Sequence, residues 1–320
     1  QKMALLPNLY PPGQGPVTYS NASYVLAGRI VEVVTGLPWH HAVMSRICVP
    51  LGMSDAFADP VYSIRHRCAI GHIPNPSDPS ELVAASVPYL PRSIAPAGSV
   101  LTMSAKSLLK FAGAHLDDGV FGEGSELLSG FSARAMRSES VELLPYSRKG
   151  VNRWGLGWFL GDYSEYQMFG HDGSTMGQFA YLRVFPEKGV AFVLLTNSPS
   201  DSMFSDIERR LMKALVGEVP PKDPKPKRLS CNFEKYQGRY ESVGFECSVE
   251  STGQNLCVTL HNRAVGLSIT GILTPYSEDV FSIQSSHPLV SDEKVVFVGD
   301  DGSGRAKYAR LGMRMAKRTS

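Results

Sequence analysis

The chain of 320 residues is 43% hydrophobic and 19% charged, which is typical of a globular protein with one large and one small domain, or two more equal ones. Its formal net charge of +2 gives no reason to expect a nucleic acid as partner, and no basic stripe is interleaved with aromatic residues. The longest apolar run lies near Val190 and is far too short to span a membrane.

The first predicted element is a helix that follows a small, polar loop near the start of the chain. Ser20 or Asn21 can cap its beginning, and Gly36 can end it. Apolar residues recur along it at the spacing of one helix face, at Tyr24, Ala27, Ile30, Val31 and Val34. The pattern predicts an amphipathic helix whose apolar stripe is buried.

Further helices and strands follow in the first two thirds of the chain. Pro38 favours the start of a second helix that stops at Gly52, and Thr102 or Ser104 can cap a third. Three apolar runs then predict consecutive antiparallel strands, namely "EYQMFGHDG", "QFAYLRVFP" and "VAFVLLTN". A final helix is predicted over residues 204–215.

The clearest boundary is a stretch over residues 217–230 that holds four prolines and four basic residues. Such a composition is typical of an extended, solvated linker. Beyond it, short alternating runs separated by turn signals predict a small antiparallel sheet or barrel. We therefore expect one domain over 1–216, a linker over 217–230 and a second domain over 231–320.

The five cysteines show no C-x-x-C spacing, so the sequence predicts neither a zinc site nor an obvious disulfide framework. Buried free thiols are the first interpretation. A cross-strand bridge between Cys247 and Cys257 is the alternative.

Two short motifs place polar side chains where backbone amides point outward. Tyr19, Ser20 and Asn21 stand at a helix entrance, and the sequence His-Asp-Gly begins at His171 near a strand entrance. Catalytic groups often occupy such places. Each motif alone is more often a simple helix cap or turn. The surrounding sequence must therefore show whether these residues form a functional site.

Those surroundings resemble one family in five separated segments, "YSNASYVLAGRIVEVVTG", "PLGMSDA", "APAGSVLTMSAKSLLKFA", "WGLGWF" and "GHDGSTMGQFAYLRVFPEKGVAFVLLTNS". Residues 7–215 resemble the serine β-lactamase-related hydrolases, which include class C β-lactamases, D-alanyl-D-alanine carboxypeptidases, D-aminopeptidases and related esterases. From Tyr236 the chain looks like the lipocalin-like barrel that some members append. The resemblance implies an α+β fold, in which an antiparallel sheet is flanked by helices and a closed antiparallel barrel follows.

The resemblance also implies roles for named residues. The family transfers acyl groups with S-x-x-K, Y-x-N and K-T-G or H-x-G motifs, without metal or cofactor. Tyr19 matches the proton-shuttling tyrosine, which needs a nearby cation to lower the pKa of its phenol. Asn21 matches the substrate-binding carboxamide. His171 and Gly173 match the third motif, and the backbone N–H of Ser174 would form half of an oxyanion hole.

The nucleophile of the first motif is not identified in this chain. Only two S-x-x-K matches exist, at Ser107–Lys110 and Ser291–Lys294, and both fall in segments that resemble other parts of the family. We expect the S-x-x-K motif to belong upstream of Tyr19 and to be missing from this chain through truncation or processing. A third explanation is that this protein has lost the acyl-transfer chemistry of the family. Without that segment, an unusually large apolar surface should lie exposed in the first domain.

The complete protein is therefore predicted to be a serine hydrolase or acyltransferase, with an esterase or D-peptidase favoured over a true β-lactamase. The alternative is a non-catalytic protein of the same fold that binds acyl or peptide ligands or a partner chain. Expected partners are a small-molecule or short-peptide acyl substrate and a complementary N-terminal fragment carrying S-x-x-K. A periplasmic or secreted location is slightly favoured over a cytoplasmic one.

Overall fold

The computed structural model describes residues 5–11, 13–75, 77–146, 150–163, 165–199, 201–217, 232–253, 255–263, 266–287, 290 and 293–320. These residues form two compact units. The sheet unit comprises the described residues of Ser20–Glu142 and Gly150–Pro221, and the barrel unit those of Gln1–Tyr19, Leu143–Lys149 and Lys222–Ser320. The predicted linker lies outside the described residues beyond Gly217, and the predicted domain boundaries stay a prediction.

The helices are α1 Asn21–Thr35, α2 Trp39–Val43, α3 Pro60–Ser63, α4 Ala105–Leu116, α5 Gly130–Ser138 and α6 Asp201–Leu215. The strands of the sheet unit are β1 His72–Asn75, β2 Asp78–Ala84, β3 Val120–Phe121, β4 Ser125–Glu126, β5 Val141–Glu142, β6 Arg153–Trp154, β7 Phe159–Tyr163, β8 Tyr166–Ser174, β9 Phe179–Phe185 and β10 Val190–Thr196. The strands of the barrel unit are β11 Gly238–Glu241, β12 Phe245–Thr252, β13 Asn255–Asn262, β14 Leu267–Ser277, β15 Val280–Gln284, β16 Lys294–Asp300, β17 Ala306–Leu311 and β18 Arg314–Arg318.

Helix α1 begins and ends where its sequence predicts. The Ser20 side chain accepts a hydrogen bond from the Ser23 N–H, and Gly36 ends the helix in the left-handed region at φ 68°. The predicted burial of its apolar stripe is wrong, because Gly28 is its only buried residue. Val34 is 78% exposed, so the first domain does carry the exposed apolar surface that the sequence led us to expect.

The other predicted helices differ mainly at their ends. Pro38 precedes α2, but that helix passes at Met44 into a π-helical turn that ends at Cys48. Ser104, one of the two predicted caps, accepts the Ser107 N–H at the start of α4. Helix α6 begins three residues before the predicted position. None of the described helices is both long and apolar enough to cross a membrane.

The three predicted strands are β8, β9 and β10 of a six-stranded antiparallel sheet with the order β10-β9-β8-β7-β6-β5. Since side chains alternate along a strand, Leu182 and Val184 of β9 face opposite to Arg183. The first two pack with Ala112 of α4 in an apolar core. Arg183 instead contacts Glu208 of α6, so α4 and α6 cover opposite faces of the sheet.

The predicted barrel is confirmed as a closed, eight-stranded antiparallel barrel formed by β11 to β18. Buried aromatic residues, including Tyr240, Phe281 and Phe297, fill its interior. The four described cysteines are free. Cys247 pairs in register with Leu260 rather than with Cys257, so no cross-strand bridge forms there.

The barrel unit also includes residues from the first part of the chain. Tyr10 packs edge-on against Tyr308, with ring centroids 5.9 Å apart. The buried Arg310 donates from Nη2 to the carbonyl oxygen of Pro145. The sequence patterns gave no sign of this packing, because each contact joins residues far apart in the chain.

Candidate active site

Tyr19 is half-buried and belongs to the barrel unit. The guanidinium of Arg314 lies 5.7 Å from the centroid of its ring, within range of a cation–π interaction. Burial raises the pKa of Tyr19, and the positive charge of Arg314 opposes that rise. No sequence motif indicated this cation, and its charge offsets the effect of burial only in part, because the pKa of Tyr19 stays above its usual value.

A tight turn between β17 and β18 brings Arg314 to this position. Gly312 occupies the left-handed region at φ 54°, which favours glycine in the turn. The Tyr19 N–H donates to the carbonyl oxygen of Met313 at 2.8 Å. The Met315 N–H donates to Thr18 Oγ1 at 3.1 Å. These two hydrogen bonds, one to a backbone carbonyl and one to a side-chain hydroxyl, attach the Tyr19 segment to the barrel hairpin.

Asn21, the second residue of the Y-x-N motif, is the first residue of α1 in the sheet unit. It is exposed, and the Ser20 side chain caps the helix instead. Helix capping therefore leaves the Asn21 carboxamide at the surface. Its predicted role in substrate binding stays a prediction.

His171 lies on β8 in an aromatic environment. Its ring stacks on Phe159 with centroids 4.4 Å apart and meets Trp154 edge-on at 5.9 Å. The ring Nδ1 lies 2.6 Å from the backbone oxygen of Asp172. Because a carbonyl oxygen only accepts, this bond requires the proton on Nδ1. In the neutral ring, Nε2 is then the acceptor nitrogen.

The strand segment that carries the H-x-G motif has only one neighbouring strand among the described residues. Pairing with β7 runs up to Gly170, which lies opposite Phe159. Pairing with β9 continues to Ser174, which lies opposite Phe179. Residues 171–174 thus pair with β9 on one side, and none of the described strands pairs with them on the other.

Gly173 lies on this edge in open space. A Cβ atom added there would meet no atom within 4 Å, and its φ is not in the left-handed region. Gly170 on the same strand differs, because a Cβ there would lie 2.1 Å from the Leu182 oxygen. Folding therefore requires glycine at 170, whereas nothing in the described fold requires it at 173. Gly173 and Ser174 are both exposed.

A buried ion cluster lies on the other face of β8. Arg183 Nη1 contacts Asp172 Oδ1 at 2.5 Å, and its Nε contacts Glu208 Oε1 at 2.7 Å. The three side chains are between 4% and 11% exposed. No motif marks this cluster in the sequence, although an arginine within the apolar run "QFAYLRVFP" is a signal that a carboxylate partner exists.

The two S-x-x-K matches differ in what the structure describes. The Ser107 hydroxyl is buried and bonds the carboxylate of Asp55, and Lys110 donates to the carbonyl oxygen of Gly52. Hydrogen bonds with the side chains of Ser104 and Ser107 hold the pKa of Asp55 below its usual range. Both side chains of this first match are thus engaged in structural bonds. Ser291 lies outside the described residues.

The predicted site residues fall in different units. Tyr19 belongs to the barrel unit, whereas Asn21, His171, Gly173 and Ser174 belong to the sheet unit. Within the sheet unit, β8 brings together the last three. The part of the chain that the structure describes holds no group of His, Cys, Asp or Glu side chains suited to a metal ion.

A cavity of about 540 Å³ also lies in the sheet unit and contains none of the predicted site residues. Its lining is mostly apolar and includes Met44, Cys48, Met53, Phe57 and Tyr62, with His40 and His41 among the polar members. Its size suits a small ligand.

Comparison with known proteins identifies relatives. A sequence model of the β-lactamase family matches residues 1–216. Penicillin-binding protein 4 of Amycolatopsis lactamdurans is 39% identical over 236 residues, which are 71% of this chain and 60% of that protein. The chain thus spans less than two thirds of that relative.

Solved structures show the same fold. The crystal structure of SurE matches with a TM-score of 0.77 at 24% identity, covering 98% of this chain and 70% of that one. SurE with D-Leu matches at 0.74 and 26% identity, with the same coverage. The octameric penicillin-binding protein homologue from Pyrococcus abyssi matches at 0.54 and 20%, covering 93% and 64%.

These matches confirm the expected α+β fold, a penicillin-binding-protein-like sheet with flanking helices and an added barrel. They agree with the five segments that suggested the resemblance. The family model covers more than half of the chain. The chain therefore belongs to the β-lactamase family.

Proposed function

We propose that this chain forms the substrate-recognition side of a serine hydrolase or acyltransferase that acts through an acyl-serine intermediate. The proposal assigns the nucleophile to a segment outside these 320 residues, and it is supported by the bond from the serine of the only described S-x-x-K match to Asp55. Family membership supports the reaction class. The alternative is a non-catalytic protein that binds its ligand at the same strand edge. It differs from the proposed enzyme only in that the bound ligand is not converted to product.

The observation that carries the proposal is the one-sided pairing of residues 171–174. An extended acyl or peptide ligand can pair with such an edge through main-chain hydrogen bonds. Gly173 lets the ligand backbone approach closely, because no side chain occupies that space. The exposed Ser174 then offers its N–H to a carbonyl oxygen.

The side chains fit an acyl-transfer role. The Nε2 atom of His171 acts as a hydrogen-bond acceptor toward the ligand. Burial raises the pKa of Tyr19, and the charge of Arg314 limits that rise, so the phenolate, which is the form that takes a proton, is reached more easily than burial alone would allow. Histidine lacks the fixed charge of a lysine at neutral pH, so recognition of a carboxylate is weaker than with K-T-G. A D-peptidase or esterase therefore fits better than a true β-lactamase.

The substrate class that we favour contains a D-configured residue. SurE, whose fold matches over 98% of this chain, has been crystallised with D-Leu. The test is a titration of the chain with N-acetyl-D-alanyl-D-alanine, in which NMR signals of the His171 ring report binding. The L,L-isomer is the control. We expect the D,D-peptide to shift the His171 resonances and the L,L-isomer to leave them nearly unchanged.

Two glycines on β8 provide matched variants for this test. Gly173→Ala should fold normally and weaken binding of the D,D-peptide at least tenfold, a loss of about 1.4 kcal/mol. Gly170→Ala should instead destabilise the fold, because its Cβ overlaps the Leu182 oxygen. Unchanged binding by Gly173→Ala would contradict the use of this edge.

The position of the nucleophile has a separate test. The chain is incubated with a fluorescent penicillin and with a fluorophosphonate, and its intact mass is measured. We expect no covalent adduct on this chain. An adduct would show that its nucleophile lies within these residues, whatever the outcome of the peptide titration.

A further inference from the structure

The one-sided strand that carries His171 needs support that β-sheet pairing does not supply. Interior strands are held by hydrogen bonds along both edges, whereas residues 171–174 pair only with β9 among the described strands. A segment paired on one side is more easily displaced. Other contacts must therefore fix its backbone if the motif is to be ordered before a ligand binds.

The buried cluster of Asp172, Arg183 and Glu208 supplies such contacts. Asp172 is the middle residue of the motif, and its side chain faces opposite to His171. Arg183 lies diagonally across on β9, since it pairs in register with Gly170. Its guanidinium joins Asp172 to Glu208 of α6, so the motif is tied to a helix as well as to a strand.

Most N–H donors of the Arg183 guanidinium form hydrogen bonds. Nη1 donates to Asp172 Oδ1 and also to the carbonyl oxygen of Leu182 at 2.9 Å, and Nη2 reaches Asp172 Oδ2 at 3.4 Å. Its carbon lies 5.6 Å from the centroid of Phe204 on α6. A fork with this many bonds restricts Asp172 more than a single ion pair does.

The cluster is connected to the ring of His171 through one peptide group. The carbonyl that accepts the Nδ1 proton belongs to Asp172, the residue whose carboxylate the cluster holds. Fixing that residue fixes the direction of its carbonyl. The direction of the carbonyl decides which nitrogen of the neutral ring carries the proton.

We propose that Asp172, Arg183 and Glu208 are positioning residues that hold His171 in the tautomer protonated on Nδ1, with Nε2 as the acceptor. The tautomer itself is a property of the chain alone. Its use in ligand recognition rests on the proposed function. The competing explanation is that the cluster only stabilises the packing of α6 against the sheet.

The experiment is nitrogen-15 NMR of the histidine rings in the 320-residue chain, at a pH of about 8.5 where ordinary histidines are neutral. His171 is assigned by loss of its signals in His171→Gln. In the unmodified chain we expect its Nδ1 to show the shift of a protonated nitrogen. Glu208→Gln and Asp172→Asn should move the ring toward the tautomer protonated on Nε2.

The control is Asp206→Asn on the same helix. Asp206 forms exposed ion pairs with Arg209 and Arg210, so its loss should leave the His171 signals unchanged. His115 is an internal reference, because it is buried in the same unit. Its signals should keep their positions in every variant.

The outcomes separate the two explanations. The proposal is overturned if the Glu208→Gln and Asp172→Asn chains fold and the His171 signals stay unchanged. It is also overturned if the His115 signals move together with those of His171. If either variant fails to fold, Arg183→Lys keeps a charge in the cluster but loses the fork, and the same criterion applies to it. Since no ligand is present, failure of the peptide titration with His171 intact would count against the proposed function alone.

Discussion

The two units of this protein differ in how completely they bury their apolar side chains. The barrel closes on itself, and the aromatic side chains of its core are only a few per cent exposed to solvent. In its described residues from 232 onward, only Val243 and Ile272 are large apolar side chains with high exposure. The sheet unit exposes many more, and α1 alone exposes Leu26, Ile30 and Val33.

The barrel buries most of its large apolar side chains, whereas the sheet unit leaves apolar surface exposed. Burial of apolar area is the main favourable term in folding. The barrel should therefore be the more stable unit in isolation. The three tryptophans of the chain, Trp39, Trp154 and Trp158, all lie in the sheet unit, so their fluorescence follows that unit alone.

The largest expected effect tests the barrel core. Phe281→Ala removes a ring that is 1% exposed and should lower the free energy of unfolding of the barrel by about 3 to 5 kcal/mol. Hydrogen exchange measured by mass spectrometry should show the loss in barrel peptides. The control is Val34→Ala on α1, which should cost less than about 0.5 kcal/mol. A tryptophan transition that shifts as much as barrel exchange would mean that the units unfold together.

A second prediction concerns acid sensitivity of the sheet unit. His115 is buried among Phe111, Trp158 and Phe169, and burial lowers its pKa to about 4. The folded state thus favours the neutral ring. Its contribution is fully present above the unfolded pKa of about 6.5 and is lost as the pH falls toward 4, by up to about 3 kcal/mol.

The measurement is urea unfolding followed by tryptophan fluorescence between pH 7 and pH 4.5. Trp158 is a direct reporter, since its ring centroid lies 5.1 Å from that of His115. His115→Phe should remove most of the pH dependence in this range. A slope that persists unchanged in the variant would assign the sensitivity to another group.

The smallest expected effect concerns the contact between Arg314 and Tyr19. Arg314→Met keeps an apolar chain of similar length and removes the charge, so the pKa of Tyr19 should rise further. NMR of carbon-13-labelled tyrosine, assigned with Tyr19→Phe, measures this change. Lys307→Met is the matched control, because Lys307 stands over Tyr308 at 5.7 Å. It should leave Tyr19 unaffected.

Local features of the fold could be predicted from the sequence because their causes are local. Ser20 and Gly36 bound α1 through caps that involve residues a few positions away. Short apolar runs likewise identified β8, β9 and β10. Periodicity alone wrongly predicted that Val34 is buried, since it shows which face of a helix is apolar but not whether another element covers that face.

The same distinction holds for the candidate site. Tyr19 and His171 stand in recognisable motifs, so a resemblance was enough to select them. Arg314 and Glu208 stand in no motif and reach the site residues only through the folded structure. Their roles depend on contacts between distant parts of the chain, which a single sequence does not contain.

The attachment of the Tyr19 segment to the barrel hairpin has a consequence for synthesis. Thr18 bonds Met315, which is 297 positions further along the chain. At ordinary translation speeds, the ribosome needs roughly 15 to 60 s to make that intervening stretch. During this time the nascent chain holds the tyrosine without its arginine neighbour. A product interrupted before β18 keeps the Y-x-N motif but never acquires the surroundings that tune it.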